Sequence, residues 1–156
     1  MIIRKIQKSD NPFMKSIIQN CLLEFGLPTT GTSFEDADTQ NMFKAYQGEK
    51  EVFFILEDNG LVVGGGIKKL NGETEICELQ KMYFSPKARG KGYGKILFKK
   101  CMDIAKEFGF KKCYLESDPR LTVAISMYEK YGFKHLKESI GDTGHSSCGT
   151  WMIKQL

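Results

Sequence analysis

Residues 89–94, RGKGYG, combine glycines with cationic side chains directly before a predicted helix, after an extended apolar stretch at 76–84. The first N–H groups of a helix lack partners within it and lie at the positive end of its dipole, so they bind phosphate groups well. Two common phosphate motifs do not fit. A dinucleotide fold needs a third glycine where Lys95 stands, and a P-loop needs Ser or Thr where Ile96 stands. The segment therefore predicts a site for a nucleotide-like cofactor, or else a flexible surface turn.

The positive charge of the chain is concentrated around this loop. Residues 81–112 carry ten basic and two acidic side chains, whereas residues 1–80 carry eight basic and twelve acidic ones. Such a concentration attracts polyanions, and it would serve a nucleic acid as well as a phosphorylated cofactor. Because the charge is focused on one loop and one helix, the pattern favours the cofactor.

Length and composition indicate a single globular domain over residues 1–156, with 41% hydrophobic and 27% charged residues. The start of the chain lacks the apolar segment of a secretion signal, and no run reaches the roughly 18 apolar residues of a membrane helix. A cytoplasmic location without membrane association is predicted. Five scattered cysteines and two histidines predict neither a disulfide framework nor a metal site.

Periodicity and turn signals predict the order of the elements that position the loop. Asn-Gly turns at 59–60 and 71–72 separate three strands of an antiparallel meander, and Gly64-Gly65-Gly66 in the middle strand predicts a bulge or a close approach to the backbone. The sheet is expected to change to parallel pairing at the strand that ends near Phe84. The predicted strands are 2–6, 51–57, 61–70, 74–84, 111–116, 133–140 and 148–154. One predicted helix has Pro12 in its first turn, and three others span 36–47, 92–108 and 120–131.

Two motifs in this order resemble the GCN5-related N-acetyltransferases. Arg-x-x-Gly-x-Gly at 89–94 resembles the acetyl-coenzyme A signature of that family, and residues 124–133, AISMYEKYGF, are similar to its Ala-Ile-x-Leu-Tyr-Glu-Lys-x-Gly-Phe segment. The resemblance implies the α/β (α+β) acyl-CoA N-acyltransferase fold of the family, with a mixed, mostly antiparallel sheet of about seven strands and four helices. One departure is that Leu121 stands where many members carry an Asn that contacts the pantetheine arm.

The resemblance also implies the cofactor and the main-chain groups that bind it. The cofactor is acetyl-CoA, and the main chain of Met82, Tyr83 and Phe84 is expected to hold the pantetheine and face the thioester carbonyl. The backbone amides of the following loop are expected to wrap the pyrophosphate. The residues of that loop are Arg89, Gly90, Lys91, Gly92, Tyr93, Gly94 and Lys95.

Two side chains are candidates for proton transfer. By the resemblance, Tyr128 is the general acid that protonates the departing sulfur, although helical spacing alone also suits a core aromatic. Glu78 lies six residues before Phe84, where the lysine-acetylating branch of the family carries its base; a strand-edge carboxylate in an ion pair is the alternative. Direct attack of a well-placed neutral amine on the thioester then needs no covalent enzyme intermediate.

The acceptor is predicted to be a cationic small molecule or a lysine-like peptide amine. No basic residue lies between Lys15 and Lys44, whereas Glu24 and Asp36 fall in this stretch, which lines the acceptor side in the family fold. A non-catalytic acyl-CoA-binding module is the alternative function. A nucleic-acid binder is a third one, without an RNA-binding aromatic signature to support it. Dimers are frequent in the family, so the resemblance allows a homodimer without predicting one.

Overall fold

The computed structural model describes residues 1–145 and 147–156, and for Leu61 the backbone only. Within these residues seven strands form one mixed sheet in the order β1-β2-β3-β4-β5-β7-β6. The strands are β1 Ile2–Lys5, β2 Val52–Asp58, β3 Leu61–Lys69, β4 Ile76–Phe84, β5 Lys112–Ser117, β6 Lys134–His135 and β7 Thr150–Gln155. The helices are α1 Asn11–Glu24, α2 Ala37–Gln40, α3 Met42–Ala45, α4 Tyr93–Glu107 and α5 Thr122–Lys130. In these described ranges, no helix combines the length and apolarity that crossing a bilayer requires.

The direction of strand pairing changes at β4, as the sequence predicts. Strands β1 to β4 pair antiparallel in sequence order, whereas β4 and β5, which are joined through α4, pair parallel. A parallel neighbour needs a crossover connection, and the long amphipathic α4 supplies it. Strand β7 then lies antiparallel between β5 and the short β6. The predicted mixed, mostly antiparallel sheet is confirmed.

The three consecutive glycines of β3 lie opposite a bulge in β4. Gly64 pairs with Tyr83 but Gly66 pairs with Gln80, so β4 advances three residues while β3 advances two. Lys81, within the bulge, has a left-handed backbone with φ of 53°. A Cβ at Gly65 would collide with the Met82 side chain, because that side chain lies directly over the β3 backbone. The predicted close approach at these glycines is confirmed, whereas the extra residue of the bulge lies in the neighbouring strand β4 and not in β3, where the glycines predicted it.

The sheet separates two apolar layers. On one face α4 buries Leu97 and Cys101 against the sheet, together with side chains of α5. On the other face α1 buries Met14 and Ile18 beside Phe53 of β2. Both faces of the central strands are thus covered, which holds the carboxyl ends of β4 and β5 in a fixed position between two helical layers.

Two predicted elements are wrong in extent. The single helix predicted at 36–47 is two short helices, because Asn41 leaves the helical backbone and its side chain accepts a hydrogen bond from the Lys44 N–H at 3.2 Å, which starts a second helix. The described residues therefore contain five α-helices rather than four. The strand predicted at 133–140 is Lys134–His135 only. Beyond it Ile140 N–H bonds to the Tyr114 hydroxyl at 3.3 Å instead of to a strand.

Candidate active site

Strands β4 and β5 separate after their first three paired positions. The register joins Ile76–Glu78 to Lys112–Tyr114, whereas the rest of β5 pairs only with β7. Among the described residues, the later main-chain groups of β4 and β5 therefore do not pair with each other. A cavity lies between the separated parts of the two strands, and we call it the β4–β5 cavity. Its lining includes Glu78, Met82, Glu116, Tyr128, His145 and Cys148.

The predicted main-chain binding segment of β4 borders this cavity. Met82 and Tyr83 line it directly, next to the bulge at Lys81. A bulge interrupts the regular ladder and reorients the main chain, so backbone groups of this segment can face the gap instead of β3. Phe84 is not among the lining residues. Its ring lies so close to Gly94 of the glycine loop that a Cβ added to Gly94 would be 3.2 Å from it.

The glycine loop presents backbone N–H groups at the start of α4. Gly90 and Gly92 have φ of 73° and 81°, a left-handed backbone that favours glycine. Gly92 is the N-cap of α4 without a side-chain cap, and the Ile96 N–H bonds back to its carbonyl at 3.3 Å. The preceding N–H groups of Tyr93, Gly94 and Lys95 have no carbonyl partner within the helix. This arrangement has the features expected of the predicted anion site, and the side chains of Lys91 and Lys95 are exposed.

The Arg89 side chain ties the loop to α1. Its guanidinium forms a bidentate pair with Glu24 at 2.6 and 2.7 Å, donates to the Phe84 carbonyl at 3.3 Å and stacks 5.2 Å from the centre of the Phe25 ring. The sequence analysis predicted that Glu24 lies on the side of the protein that binds the acceptor. The structure places Glu24 in this pair, and it is not among the residues that line the β4–β5 cavity. Arg89 thus holds the loop against α1 through its side chain.

Tyr128 lies on α5, with 7% of its surface exposed, and it lines the β4–β5 cavity. Its ring packs against Phe133 and Phe98, with centroid distances of 5.9 and 6.3 Å. Burial raises the pKa of the phenol above its usual value of 10. The hydroxyl is therefore protonated throughout the neutral range and can donate a proton into the cavity.

Glu78 is buried on β4, with 4% of its surface exposed, at the point where β4 and β5 part. Burial raises the pKa of this carboxyl to about 7, although a hydrogen bond from Gln80 at 2.5 Å lowers it in part. Gln80 is itself oriented by the Tyr46 hydroxyl, which donates to its amide oxygen at 2.8 Å. A carboxyl that titrates near neutrality in a cavity has the properties of a general base.

A further set of charged groups lies at the cavity, and the sequence analysis identified only one of them. Lys81, His145 and Glu116 line the cavity, whereas Asp36 lies beside it and is not among the lining residues. Asp36, which the sequence assigned to the acceptor, pairs with the Lys81 ammonium, whose side chain is 1% exposed. His145 Nε2 lies 2.9 Å from the same Asp36 carboxylate. Burial lowers the pKa of His145, but the hydrogen bond and charge of Asp36 outweigh it, so that the pKa is raised overall. Glu116 on β5 completes the set and accepts a hydrogen bond from the Tyr114 hydroxyl at 2.7 Å.

The sequence carries a signal for some of these residues. Lys81 directly precedes, and Glu116 directly follows, a run of three hydrophobic residues in a strand, a position that costs free energy when the charge is buried unless it is paired or used. His145 lies in a loop without periodicity, so nothing in the sequence indicates its place. Leu121 lines the cavity as the N-cap of α5, where it supplies no side-chain hydrogen bond. Thr122 and Ser126, the polar residues of α5 that could replace the missing Asn, are not among the described residues that line the cavity.

Comparisons with known proteins identify relatives of the whole chain. A family model described as the acetyltransferase (GNAT) family matches residues 18–133. A protein of Escherichia coli (strain K12) named uncharacterized N-acetyltransferase YjgM is 40% identical over 158 residues, which cover 99% of this chain and 95% of that protein. An IAA acetyltransferase of Azospirillum brasilense is 31% identical over 67% of each chain.

Solved structures have the same fold. The structure of yncA from Salmonella typhimurium, a putative acetyltransferase with its cofactor acetyl-CoA, superposes with a TM-score of 0.78 at 21% identity, covering 99% of this chain and 93% of that chain. The paiA N-acetyltransferase of Thermoplasma acidophilum, in complex with coenzyme A, has a TM-score of 0.75 at 21% identity, with 99% and 98% coverage.

Proposed function

Since this chain belongs to the acetyltransferase (GNAT) family, we propose that it transfers the acetyl group of acetyl-CoA directly to a cationic primary amine bound in the β4–β5 cavity. One observation carries the proposal: the separation of β4 from β5 brings a buried carboxyl, a buried phenol and the bulged main chain of β4 around a single cavity. The carboxyl belongs to Glu78 and the phenol to Tyr128. This is the set of groups that acyl transfer to an amine requires.

The cofactor is proposed to lie along β4, with its pyrophosphate at the start of α4. The N–H groups of the first turn of α4 and the positive end of its dipole stabilise the phosphate charge. The main chain of Met82 and Tyr83 then receives the pantetheine arm, and the thioester reaches the cavity at the bulge. Leu121 offers only an apolar contact to that arm, so main-chain groups supply its hydrogen bonds.

In the proposed reaction, Glu78 accepts the proton of the incoming ammonium, directly or through a water molecule. The neutral amine nitrogen attacks the thioester carbonyl, whose oxygen gains charge that the N–H groups of β4 stabilise. When the carbon–sulfur bond breaks, Tyr128 donates its proton to the departing thiolate. The nitrogen of the tetrahedral intermediate loses its second proton to solvent, and solvent returns a proton to the Tyr128 phenolate. The acetylated amine, free coenzyme A and one proton on Glu78 then balance the step.

The charge of the cavity supports a cationic acceptor. Glu78 and Glu116 both line it, whereas the Lys81 ammonium is taken up by Asp36. Carboxylate charge from Glu116, and from Glu78 when it is ionised, therefore remains at the cavity and attracts an ammonium group rather than a carboxylate substrate. Whether the amine belongs to a small molecule or a peptide, and whether the chain dimerises, stay predictions, as does its location in the cell.

An acceptor panel tests the function. We expect release of the free thiol of coenzyme A with polyamines, amino sugars or lysine-like amines, at rates at least tenfold above those with neutral aromatic amines. The measurement is thiol release with a colorimetric reagent, with mass spectrometry of the products. A preference for the aromatic amines would contradict the cationic acceptor. Tight coenzyme A binding without turnover on any amine would instead identify a non-catalytic binding module.

The glycine loop gives a second test, which is independent of the acceptor. Gly92→Ala forces a side chain into a left-handed backbone at a cost of about 1–2 kcal/mol, and it disturbs the N–H groups at the start of α4. We expect the dissociation constant of coenzyme A, measured by calorimetry, to rise about tenfold, equivalent to about 1.4 kcal/mol.

Gly72→Ala is the matched control for this variant. Gly72 has nearly the same φ, 85°, and open space around it, but it lies in the turn between β3 and β4. It should therefore show the same loss of folding stability without the loss of affinity. Equal affinities for coenzyme A in the two variants would place the pyrophosphate elsewhere.

A further inference from the structure

Three potential metal ligands meet at one side of the β4–β5 cavity. Glu116, His145 and Cys148 each offer one atom, and these three atoms all lie within 4.8 Å of one another. The Nδ1 atom of His145 is 3.9 Å from Glu116 Oε2. The proton transfers proposed above use none of these side chains, although Glu116 contributes to the negative charge of the cavity.

The Glu116 carboxylate has an unsatisfied oxygen at this point. The side chain is 2% exposed, and Oε1 accepts the hydrogen bond from Tyr114. Among the residues that the structure describes, Oε2 has no hydrogen-bond partner. An unpaired carboxylate oxygen in a buried position costs several kcal/mol, so such atoms commonly face a cation or a ligand.

His145 is oriented as a metal-bound histidine usually is. A carboxylate oxygen only accepts hydrogen bonds, so His145 Nε2 donates to Asp36 at 2.9 Å. The other ring nitrogen, Nδ1, is thereby directed toward Glu116 Oε2. Metal-ligating histidines almost always donate their second nitrogen to a carboxylate or carbonyl in this way, which holds the ring in place.

We propose that Glu116 Oε2, His145 Nδ1 and Cys148 Sγ bind a divalent transition ion of the zinc type, and that the bound ion blocks the amine acceptor. Carboxylate, imidazole and thiolate together suit zinc better than magnesium or calcium. Tetrahedral zinc with bonds of about 2.0–2.3 Å holds its ligand atoms about 3.3–3.7 Å apart, so side-chain movements of up to roughly 1 Å close the site.

The charges around the site balance when the ion is bound. A carboxylate and a thiolate neutralise a divalent ion, and the neighbouring Asp36 carboxylate is neutralised by Lys81. The fourth coordination position would open into the β4–β5 cavity, where a water molecule completes the tetrahedron. An ammonium group entering this cavity would meet the metal instead of the free Glu116 carboxylate, which is why inhibition follows. This inhibitory part rests on the proposed function, whereas metal binding does not.

Titration with Co²⁺, a spectroscopic substitute for zinc, tests binding without any assay of activity. We expect one saturable equivalent, visible d–d absorption of tetrahedral intensity and a thiolate-to-cobalt charge-transfer band in the near ultraviolet. Excess Zn²⁺ should displace the signal. Cys148→Ser should remove the charge-transfer band, and His145→Asn should weaken binding at least tenfold. His135→Asn, which alters the other histidine of the chain, is exposed and should leave the titration unchanged.

A measurement on the unaltered protein covers the case in which a variant does not fold. Bound Zn²⁺ should slow alkylation of Cys148 by iodoacetamide at least tenfold, as read by mass spectrometry of the peptides. Absence of saturable Co²⁺ binding, or a charge-transfer band that persists in Cys148→Ser, would overturn the site. In that case a proton on Nδ1, paired with Glu116, is the better account of the geometry.

The inhibitory part has its own readout. Zn²⁺ should inhibit amine acetylation competitively with the amine and not with acetyl-CoA. The inhibition constant should rise at least tenfold in Cys148→Ser, with each protein compared with its own metal-free rate. If the metal bound saturably but did not inhibit acetylation of the amine, the metal site would be supported and the proposed inhibition would be wrong.

Discussion

Replacing Tyr128 with Phe should lower turnover about 100-fold while leaving the affinity for coenzyme A within about twofold of the unaltered protein. A general acid typically contributes 10²–10⁴-fold to a rate. The lower end applies here, because a thiol of pKa about 8.5 leaves as a fairly stable anion and needs only modest help from a phenol. The measurement is the steady-state rate with saturating acceptor, together with calorimetry of coenzyme A.

Tyr131→Phe is the control for this variant. Tyr131 follows directly after α5 and its ring stacks on Phe98, 4.9 Å between centroids, so it belongs to the same aromatic group as Tyr128. It is not among the described residues that line the β4–β5 cavity. We expect its turnover to be unchanged. If Tyr128→Phe also kept its full rate, Tyr128 would be a core aromatic and the acid would have to be sought among other groups.

Replacing Glu78 with Gln should abolish the rise in rate around pH 7. With a pKa of about 7, Glu78 is protonated below neutrality and unable to accept a proton, and it becomes a base as the pH rises. In the unaltered protein kcat/KM should therefore increase through pH 7. In the variant this increase of kcat/KM with pH should be absent, and at pH 8 its rate should be about 100-fold or more below that of the unaltered protein. Glu75→Gln, an exposed carboxyl just before β4, should keep the original profile.

The same substitution should increase folding stability at high pH. The folded chain keeps the Glu78 proton up to about pH 7, whereas the unfolded chain loses it near pH 4.5. Folding stability therefore falls as the pH rises through this window and stays low above it. A shift of about 2.5 pKa units corresponds to about 3 kcal/mol. Glu78→Gln avoids this cost, so it should be more stable than the unaltered protein at pH 8 by up to about 3 kcal/mol, and no more stable at pH 4.

Urea unfolding at the two pH values measures this difference. An increase in stability together with a loss of activity is expected when a buried carboxyl is retained for chemistry at the expense of stability. A variant that was equally destabilised at both pH values would show instead that Glu78 holds the strands together through its hydrogen bond with Gln80. An unaltered pH–rate profile would exclude Glu78 as the base.

The site could be predicted in part because its backbone features are local. Gly90 and Gly92 sit at left-handed positions, and the start of α4 follows at once, so a short stretch of sequence is enough to predict the amides that it presents. Glu78 and Tyr128 came from motifs of the family, and the structure places both at one cavity. Their roles stay predictions until the two variants are measured.

The rest of the site depends on contacts between segments that are distant in sequence. His145 lies 109 residues from Asp36 and the two meet at 2.9 Å, while Asp36 also pairs with Lys81 across 45 residues. No periodicity encodes such contacts. For the same reason Glu24 could be predicted as an acidic residue of the acceptor side, but not as the partner of Arg89.

The sequence by itself determined the order of strands and helices, the change of pairing at β4, the close approach to the backbone at the three glycines and the family. These follow from side-chain periodicity, from turn residues and from glycine's tolerance of a left-handed or closely packed backbone, which act within about ten residues. Only the tertiary structure decided which charged groups surround the cavity. It raised the pKa of Glu78, directed His145 toward Glu116 and paired Arg89 with Glu24, because burial and charge pairing depend on which distant segments the packed sheet brings together.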